Sequence, residues 1–183
     1  VSDLISKVVA NSISVKRKES IKIYDPTAGS GSLLLNIGKE LSKKIDSNYI
    51  EYYAQELITE TYNLSRMNLV MKGIEASNIF VENSDTLEND NWLYKDNEKI
   101  CFDAVVSNPP YSAHWNPEKY ERDPRFNYGL APSSKADYAF LQHGLHHLKD
   151  DGVMGIVLPH GVLFRGGEEG VIRKNLVDNN HIE

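Results

Sequence analysis

At 183 residues, 40% hydrophobic and 25% charged, the chain is long enough for one domain with a proper core and has an ordinary globular composition. No apolar run approaches the roughly 20 residues of a membrane span, the opening residues do not read as a leader, and the cytoplasm is the expected compartment. A single cysteine, Cys101, excludes an internal disulfide or a multi-cysteine zinc site and is expected in the core. The formal net charge of −6 argues against this segment alone gripping nucleic acid, because phosphate contacts need clustered Lys and Arg.

Residues 3–13 carry Leu4, Ile5, Val8 and Val9 at helical spacing, and a basic loop over residues 16–20 leads into a first strand, Ile21-Lys22-Ile23-Tyr24. After Gly31, the residues Leu34, Ile37, Leu41 and Ile45 share one helix face. A second strand spans 49–54. Leu57, Leu64, Met67 and Met71 then form a stripe expected to be core, on a helix stopped at Lys72-Gly73. A short third strand over 78–81 ends at Asn83-Ser84-Asp85, and the acidic, Asn-rich stretch through Glu98 reads as solvated surface. Phe102-Asp103-Ala104-Val105-Val106-Ser107 is a buried fourth strand stopped by proline. Residues 112–133 lack apolar periodicity, and a loop this long points to function. Ser134 and Asp137 have capping-box-like spacing, followed by Tyr138, Leu141, Leu145 and Leu148 at helical intervals. A fifth strand over 153–158 and a helix over 168–177 complete the series. The sequence runs from Val1, which is not a methionine, to His181-Ile182-Glu183, where a further strand is expected to open, so an excised piece of a longer protein is expected.

Repeated strand-helix units with fully apolar strands predict a doubly wound α/β domain around a parallel sheet. Ligands bind outside the carboxyl ends of such strands, where Asp25, Glu56, Asp85 and Asn108 all fall. Two stretches stand out at those ends: Asp25-Pro26-Thr27-Ala28-Gly29-Ser30-Gly31 and Asn108-Pro109-Pro110-Tyr111. The first is a glycine turn, but Leu34 stands where the dinucleotide fingerprint wants Gly or Ala, and no Gly-Lys-Ser/Thr follows for a P-loop. Glu56, at the end of the second strand, is near the place where an acid meets ribose hydroxyls, so a nucleoside cofactor without pyrophosphate fits best. In the second stretch each proline fixes φ and holds the preceding residue extended. The Asn108 side-chain oxygen and the Pro109 carbonyl are then two acceptors beside the Tyr111 ring, an arrangement suited to a flat amino group.

These residues resemble a known family. Residues 25–31 look like the first S-adenosylmethionine motif of amino-methyltransferases, and Asn108-Pro109-Pro110-Tyr111 looks like their catalytic motif. Tyr53-Ala54-Gln55-Glu56, Asp123-Pro124-Arg125-Phe126 with Tyr128-Gly129, and Ala136-Asp137-Tyr138-Ala139-Phe140 resemble the modification subunit of type I restriction-modification systems, and the match runs along essentially the whole chain. The resemblance implies a Rossmann-like methyltransferase fold, cut after its fifth strand, with residues 1–183 forming the catalytic domain. It implies transfer of methyl from S-adenosylmethionine to N6 of adenine in DNA, beside a specificity subunit and a restriction subunit. Asp25, Thr27, Gly29 and Gly31 would shape the cofactor loop, Glu56 would hold the ribose and Asp85 the cofactor's adenine, with Ile79 and Phe80 packing nearby. Asn108, Pro109, Pro110 and Tyr111 would be catalytic, acting on a flipped base.

Other readings stay open at this point. Asp25 and Asp85 could each simply cap a turn. The amine could belong to a protein glutamine or an RNA base, or the fold could serve as a noncatalytic scaffold. Lys119, Arg122 and Arg125 offer phosphate contacts, although Glu118, Glu121 and Asp123 interleave with them. His143, His146 and His147 lack a carboxylate fixed among them, so no metal is expected.

Overall fold

A computed structural model describes residues 2–14 and 20–182. Most of the basic loop expected over residues 16–20 therefore lies outside the described residues. Five strands, β1 (Ile21–Asp25), β2 (Ile50–Gln55), β3 (Ile79–Glu82), β6 (Phe102–Ser107) and β7 (Leu148–Ile156), form one sheet in the order β3-β2-β1-β6-β7. Every neighbouring pair is parallel. The order reverses between β1 and β6, so the crevice between those two strands opens at their carboxyl ends.

Strand periodicity divides the sheet into two faces. Ile23, Ala54, Ala104 and Val106 face α1 (Ser2–Ser12) and α2 (Ser32–Leu41), whose Val9, Ala10, Leu34, Ile37 and Leu41 complete one core. Tyr24, Tyr53 and Val105 face the opposite way, joined by Phe102, which departs from the alternation at the irregular Phe102/Ala104 step and stacks on Tyr24 at 4.7 Å between centroids. α4 (Asp137–His146) covers that side. A third cluster joins α4 to α5 (Gly167–Asp178) and the 112–133 segment through Phe126, Tyr138, Phe140, Ile172 and Leu176. Among the described residues, no helix is long and apolar enough to cross a membrane.

Several expectations fail for local reasons. The stripe on α3 (Thr59–Met71) is not core: Leu64, Met67 and Met71 are exposed, as is Leu57 just before the helix, and only Ser65 and Leu69 are buried. α3 packs beside β3 at the sheet margin, so its contact face is one narrow i, i+4 pair and the neighbouring stripe turns to solvent. On α1, Leu4 and Val8 are likewise exposed while Ile5 and Val9 pack inward. Leu148 belongs to β7, not to α4. It is in helical phase, but it pairs with Phe102 once the Phe102 amide donates to the His147 carbonyl at 2.8 Å. β7 therefore starts earlier than expected, and a bulge lies opposite the Phe102/Ala104 step.

The acidic stretch is more than solvated surface. Leu87 and Leu93 are buried, and β4 (Tyr94–Lys95) and β5 (Glu98–Lys99) form an antiparallel hairpin. Its turn residues Asp96 and Asn97 both have positive φ, as a tight hairpin turn of the right twist requires. Cys101 is only half-buried. No side chain caps α4, whose N-cap is Ala136, so the Ser134 capping box does not form.

α2 passes close over β2 at Gly38. A Cβ at Gly38 would overlap the Tyr52 hydroxyl oxygen and lie 2.7 Å from the ring. Replacing a helical Gly by Ala normally stabilises by about 1 kcal/mol, whereas overpacking a core costs about 1–3 kcal/mol. Gly38→Ala is expected to lose on the order of 1–2 kcal/mol net in denaturant unfolding. A gain would show that the buried Tyr52 ring moves aside freely.

Candidate active site at the carboxyl edge of the sheet

The turn after β1 is shaped by two residues in the left-handed region, Gly29 (φ 53°) and Gly31 (φ 77°), where a side chain would be strained. Gly31 also starts α2. The Gly29 amide donates to Glu56 Oε2 at 2.9 Å, and the Ile58 amide donates to Glu56 Oε1 at 2.9 Å. Glu56, just past β2, is thus fixed while each of its oxygens keeps a second lone pair. Asp25 Oδ1 accepts from the Thr27 amide at 2.9 Å, and Thr27 Oγ1 lies 2.8 Å from Ser107 Oγ. That hydroxyl pair sews the glycine turn to the end of β6, directly before Asn108.

Asp25 is almost wholly buried, and its Oδ2 has no hydrogen-bond partner among the described residues. Burial pushes its carboxyl up to about 7, against the opposing pull of the two Thr27 hydrogen bonds. A buried carboxylate oxygen without a partner is costly unless a donor meets it.

The 84–90 loop closes the other side of the turn. Thr86 Oγ1 donates to the Pro26 carbonyl, and Asp85 Oδ1 accepts from the Leu87 amide at 2.9 Å. Arg125 holds this loop from behind and makes no phosphate contact available, because it is 3% exposed. Its guanidinium donates to the Thr86 carbonyl (3.2 Å), the Leu87 carbonyl (2.9 Å) and Asp123 Oδ2 (2.7 Å). Lys119 is paired with Glu88 at 3.1 Å, which leaves Arg122 as the exposed member of that trio without a partner among the described residues.

Arg125 also donates to His143 Nδ1 at 3.2 Å, and His143 Nε2 meets the Tyr24 hydroxyl at 2.9 Å. An arginine only donates, so Nδ1 accepts, Nε2 carries the proton, and Tyr24 passes its own hydrogen to Gln55 Oε1 at 3.0 Å. Burial, with His147 and Arg125 nearby, holds the His143 imidazolium well below its ordinary range, so the ring is neutral. Both ring nitrogens are committed within this relay.

The Asn108-Pro109-Pro110-Tyr111 stretch leaves β6 with Pro109 buried and Asn108, Pro110 and Tyr111 exposed. Neither the Asn108 side chain nor the Pro109 carbonyl has a hydrogen-bond partner among the described residues. Two uncommitted acceptors, one on exposed Asn108 and one on buried Pro109, thus stand with the half-exposed Tyr111 ring at the carboxyl end of β6. Ser112, next in the chain, has φ 52°, and its amide donates to Asp137 Oδ1 at 3.1 Å. The sequence reading missed the parts of Thr86, Ser107, Arg125 and Asp137. The available signal for Asp137 is a lone carboxylate in the apolar run 136–141, and for Arg125 its neighbour Asp123 in Asp-Pro-Arg-Phe.

Residues 1–183 match the N-6 DNA methylase family. The type I restriction enzyme MpnII methylase subunit of Mycoplasma pneumoniae is 41% identical over 98% of this chain and 34% of its own length. The MjaIX methylase subunit of Methanocaldococcus jannaschii is 29% identical over 96% of this chain and 31% of its own length. The solved methyltransferase subunit of a type I restriction-modification system from Streptococcus thermophilus superposes with a TM-score of 0.88 at 46% identity, covering 100% of this chain and 38% of that one. The EcoKI M protein of Escherichia coli shares the fold, with a TM-score of 0.69 at 24% identity over 96% of this chain and 36% of that one. The chain spans about a third of the length of the curated relatives it matches. Coverage from end to end and identity at this level show that the chain belongs to the N-6 DNA methylase family.

Proposed function

We propose that residues 1–183 belong to the catalytic domain of an S-adenosylmethionine-dependent methyltransferase that modifies N6 of adenine in DNA. It would work as the modification subunit of a type I system, beside a specificity subunit and a restriction subunit. The observation that carries this reading is the placement, at the carboxyl ends of the neighbouring strands β2, β1 and β6, of the pinned Glu56, the Asp25 oxygen without a partner among the described residues, and two unengaged acceptors at Asn108 and Pro109.

The residues present fit the cofactor. Asp25 Oδ2 is a buried carboxyl oxygen lacking a donor among the described residues, which suits an ammonium group that would favour its ionised form. Glu56 retains lone pairs for ribose hydroxyls, and Asp85 Oδ2 is available to an adenine amine. The cofactor supplies an electrophilic methyl group on a sulfonium. The protein's task is to aim a poor nucleophile, because the lone pair of an exocyclic adenine amine is delocalised into its ring. Asn108 and the Pro109 carbonyl each accept one N–H, which turns the lone pair out of conjugation and stabilises the positive charge that develops on nitrogen. Asn108 and the Pro109 carbonyl would hold the amine in that orientation while it received the methyl group, and its surplus proton would pass to solvent. Tyr111 stacks on the base, which must be extruded from the duplex to reach the edge of the sheet. With only −6 net charge on the chain, grip on DNA comes from the specificity subunit.

The direct test is tritiated-methyl transfer to unmethylated DNA by the full-length protein assembled with its specificity subunit. N6-methyladenine is the expected product, and label found instead in glutamine or RNA would replace the reading with another amine substrate. In the same assembly Asn108→Ala should abolish transfer and leave cofactor affinity unchanged. Tyr111→Ala should lose only the roughly 1–3 kcal/mol of a base–aromatic stack. Activity persisting without Asn108 would contradict the assignment.

Two measurements address the cofactor. Glu56→Ala removes a charged hydrogen-bond acceptor worth roughly 1.5–3 kcal/mol, so calorimetry should show affinity weakened by about one to two orders of magnitude. Unchanged affinity removes Glu56 from the ribose role. The pH dependence follows from Asp25. Its folded carboxyl is raised to about 7, so it is largely neutral below that point and anionic above it. An ammonium partner binds the anion and itself deprotonates near 7.7–8.0, so affinity should rise about fivefold between pH 6 and about pH 7.5 and then level off, and Asp25→Asn should flatten that rise. The sign for stability is opposite: a raised carboxyl costs the unliganded fold increasingly as pH climbs from about 4 toward 7.

A further inference from the structure

We propose that Asp137 is a positioning residue for Asn108-Pro109-Pro110-Tyr111, and that α4, through this carboxylate, sets the direction in which the motif presents its acceptors and ring. The proposal rests on the motif being the amine-binding site.

The motif's upstream end is fixed by the sheet. Ser107 pairs with Thr27 and with Ile156, its carbonyl accepts from the Val157 amide at 2.9 Å, and Pro109 is buried. The downstream end has no strand or helix of its own. There Ser112 adopts φ 52°, a conformation that residues other than Gly, Asn and Asp rarely hold without compensation. The compensation is the Asp137 carboxylate, wholly buried, which accepts from the Ser112 amide at 3.1 Å and from Arg165 Nη1 at 3.2 Å. The Ala136 amide donates to the Ala113 carbonyl at 2.9 Å, so two successive residues at the start of α4 grip two successive residues after the motif.

Asp137 stands in the first turn of α4 but leaves that helix uncapped and serves the motif instead. Its second partner extends the constraint. Arg165 also meets Glu169 at 3.2 Å, and Arg173 Nη1 donates to the Val162 and Arg165 carbonyls at 2.9 Å each. The Tyr138 hydroxyl donates to the same Val162 carbonyl at 2.8 Å. The turn after β7 and the motif after β6, neighbours at the sheet's carboxyl edge, are therefore held by one carboxylate between them.

Two donors face this carboxylate from different directions, and an amide has only one acceptor atom. Asp137→Asn, nearly identical in shape, must lose one of the two bonds. In the full-length protein assembled with its specificity subunit, Asp137→Asn is expected to lower kcat at least tenfold while cofactor affinity stays within threefold of wild type. Adding Ser112→Asn, which favours the left-handed conformation by itself, should recover part of that loss. A role in stability alone would give no such recovery. Ser112→Val, an exposed change that leaves the buried pair intact, should reproduce the fall in kcat, because a β-branched residue resists positive φ. Unchanged kcat in Asp137→Asn or Ser112→Val, a loss accounted for entirely by cofactor affinity, or no recovery in the double variant would overturn the proposal. Asn108→Ala, run alongside, separates the two readings. If it is inactive while Asp137→Asn is not, only the positioning role falls; if it remains active, the reading of the motif falls with it.

Discussion

The buried guanidinium of Arg125 is the constraint on which the site's geometry depends. Each of its three nitrogens donates to the protein, to Asp123, two loop carbonyls and His143, with Asp90 3.6 Å away. Burying a cation is expensive unless its donors are satisfied and its charge is opposed, and here both conditions are met by groups from three separate segments. Removing the side chain would take their donor from two backbone carbonyls and from His143 Nδ1 together, so one side chain ties the 84–90 loop, α4 and the 112–133 segment. The glycine turn joins them through Thr86 and Pro26.

The same cation dictates the orientation of every group beyond it. His143 must accept at Nδ1, Tyr24 must donate to Gln55, and the Gln55 amide nitrogen must then face Ser84 Oγ (2.9 Å) and the Asn89 carbonyl (2.7 Å). A relay with a single allowed assignment of protons has no alternative state to relax into. It underlies the carboxyl ends of β1 and β2, so the acids at those ends rest on a floor with one configuration.

Much of this was legible from residue order. Strand ends, the glycine turn, Glu56 one residue past β2 and the proline-locked Asn108 all follow from local chemistry that sheet packing reinforces. The failures share a cause: apolar periodicity reports which residues could pack, not which neighbours exist. The Leu57 to Met71 stripe lies at the sheet margin with little to cover it, and Leu148 is in phase with α4 yet is claimed by Phe102. Buried polar residues were the harder case. Arg125 and Asp137 looked like a surface cation and a helix cap, because nothing in their own segments reveals partners at Thr86, Leu87 and Ser112. Such contacts are long in sequence and are made by backbone atoms, which carry no residue-specific signature.

The chain's two tryptophans pack against different hydrophobic clusters. Trp92 donates its indole N–H to Gln55 Oε1 at 3.1 Å and lies edge-on to Tyr24, at the end of the relay. Trp115 stacks on Tyr120, meets Phe126 edge-on and donates to the Pro132 carbonyl at 3.0 Å, within the segment that follows the motif. Each indole thus has a defined dipole environment belonging to one arm of the site. Their fluorescence gives the protein two built-in optical reporters, and emission recorded with one or the other replaced by Phe would resolve whether the two arms loosen together or in turn.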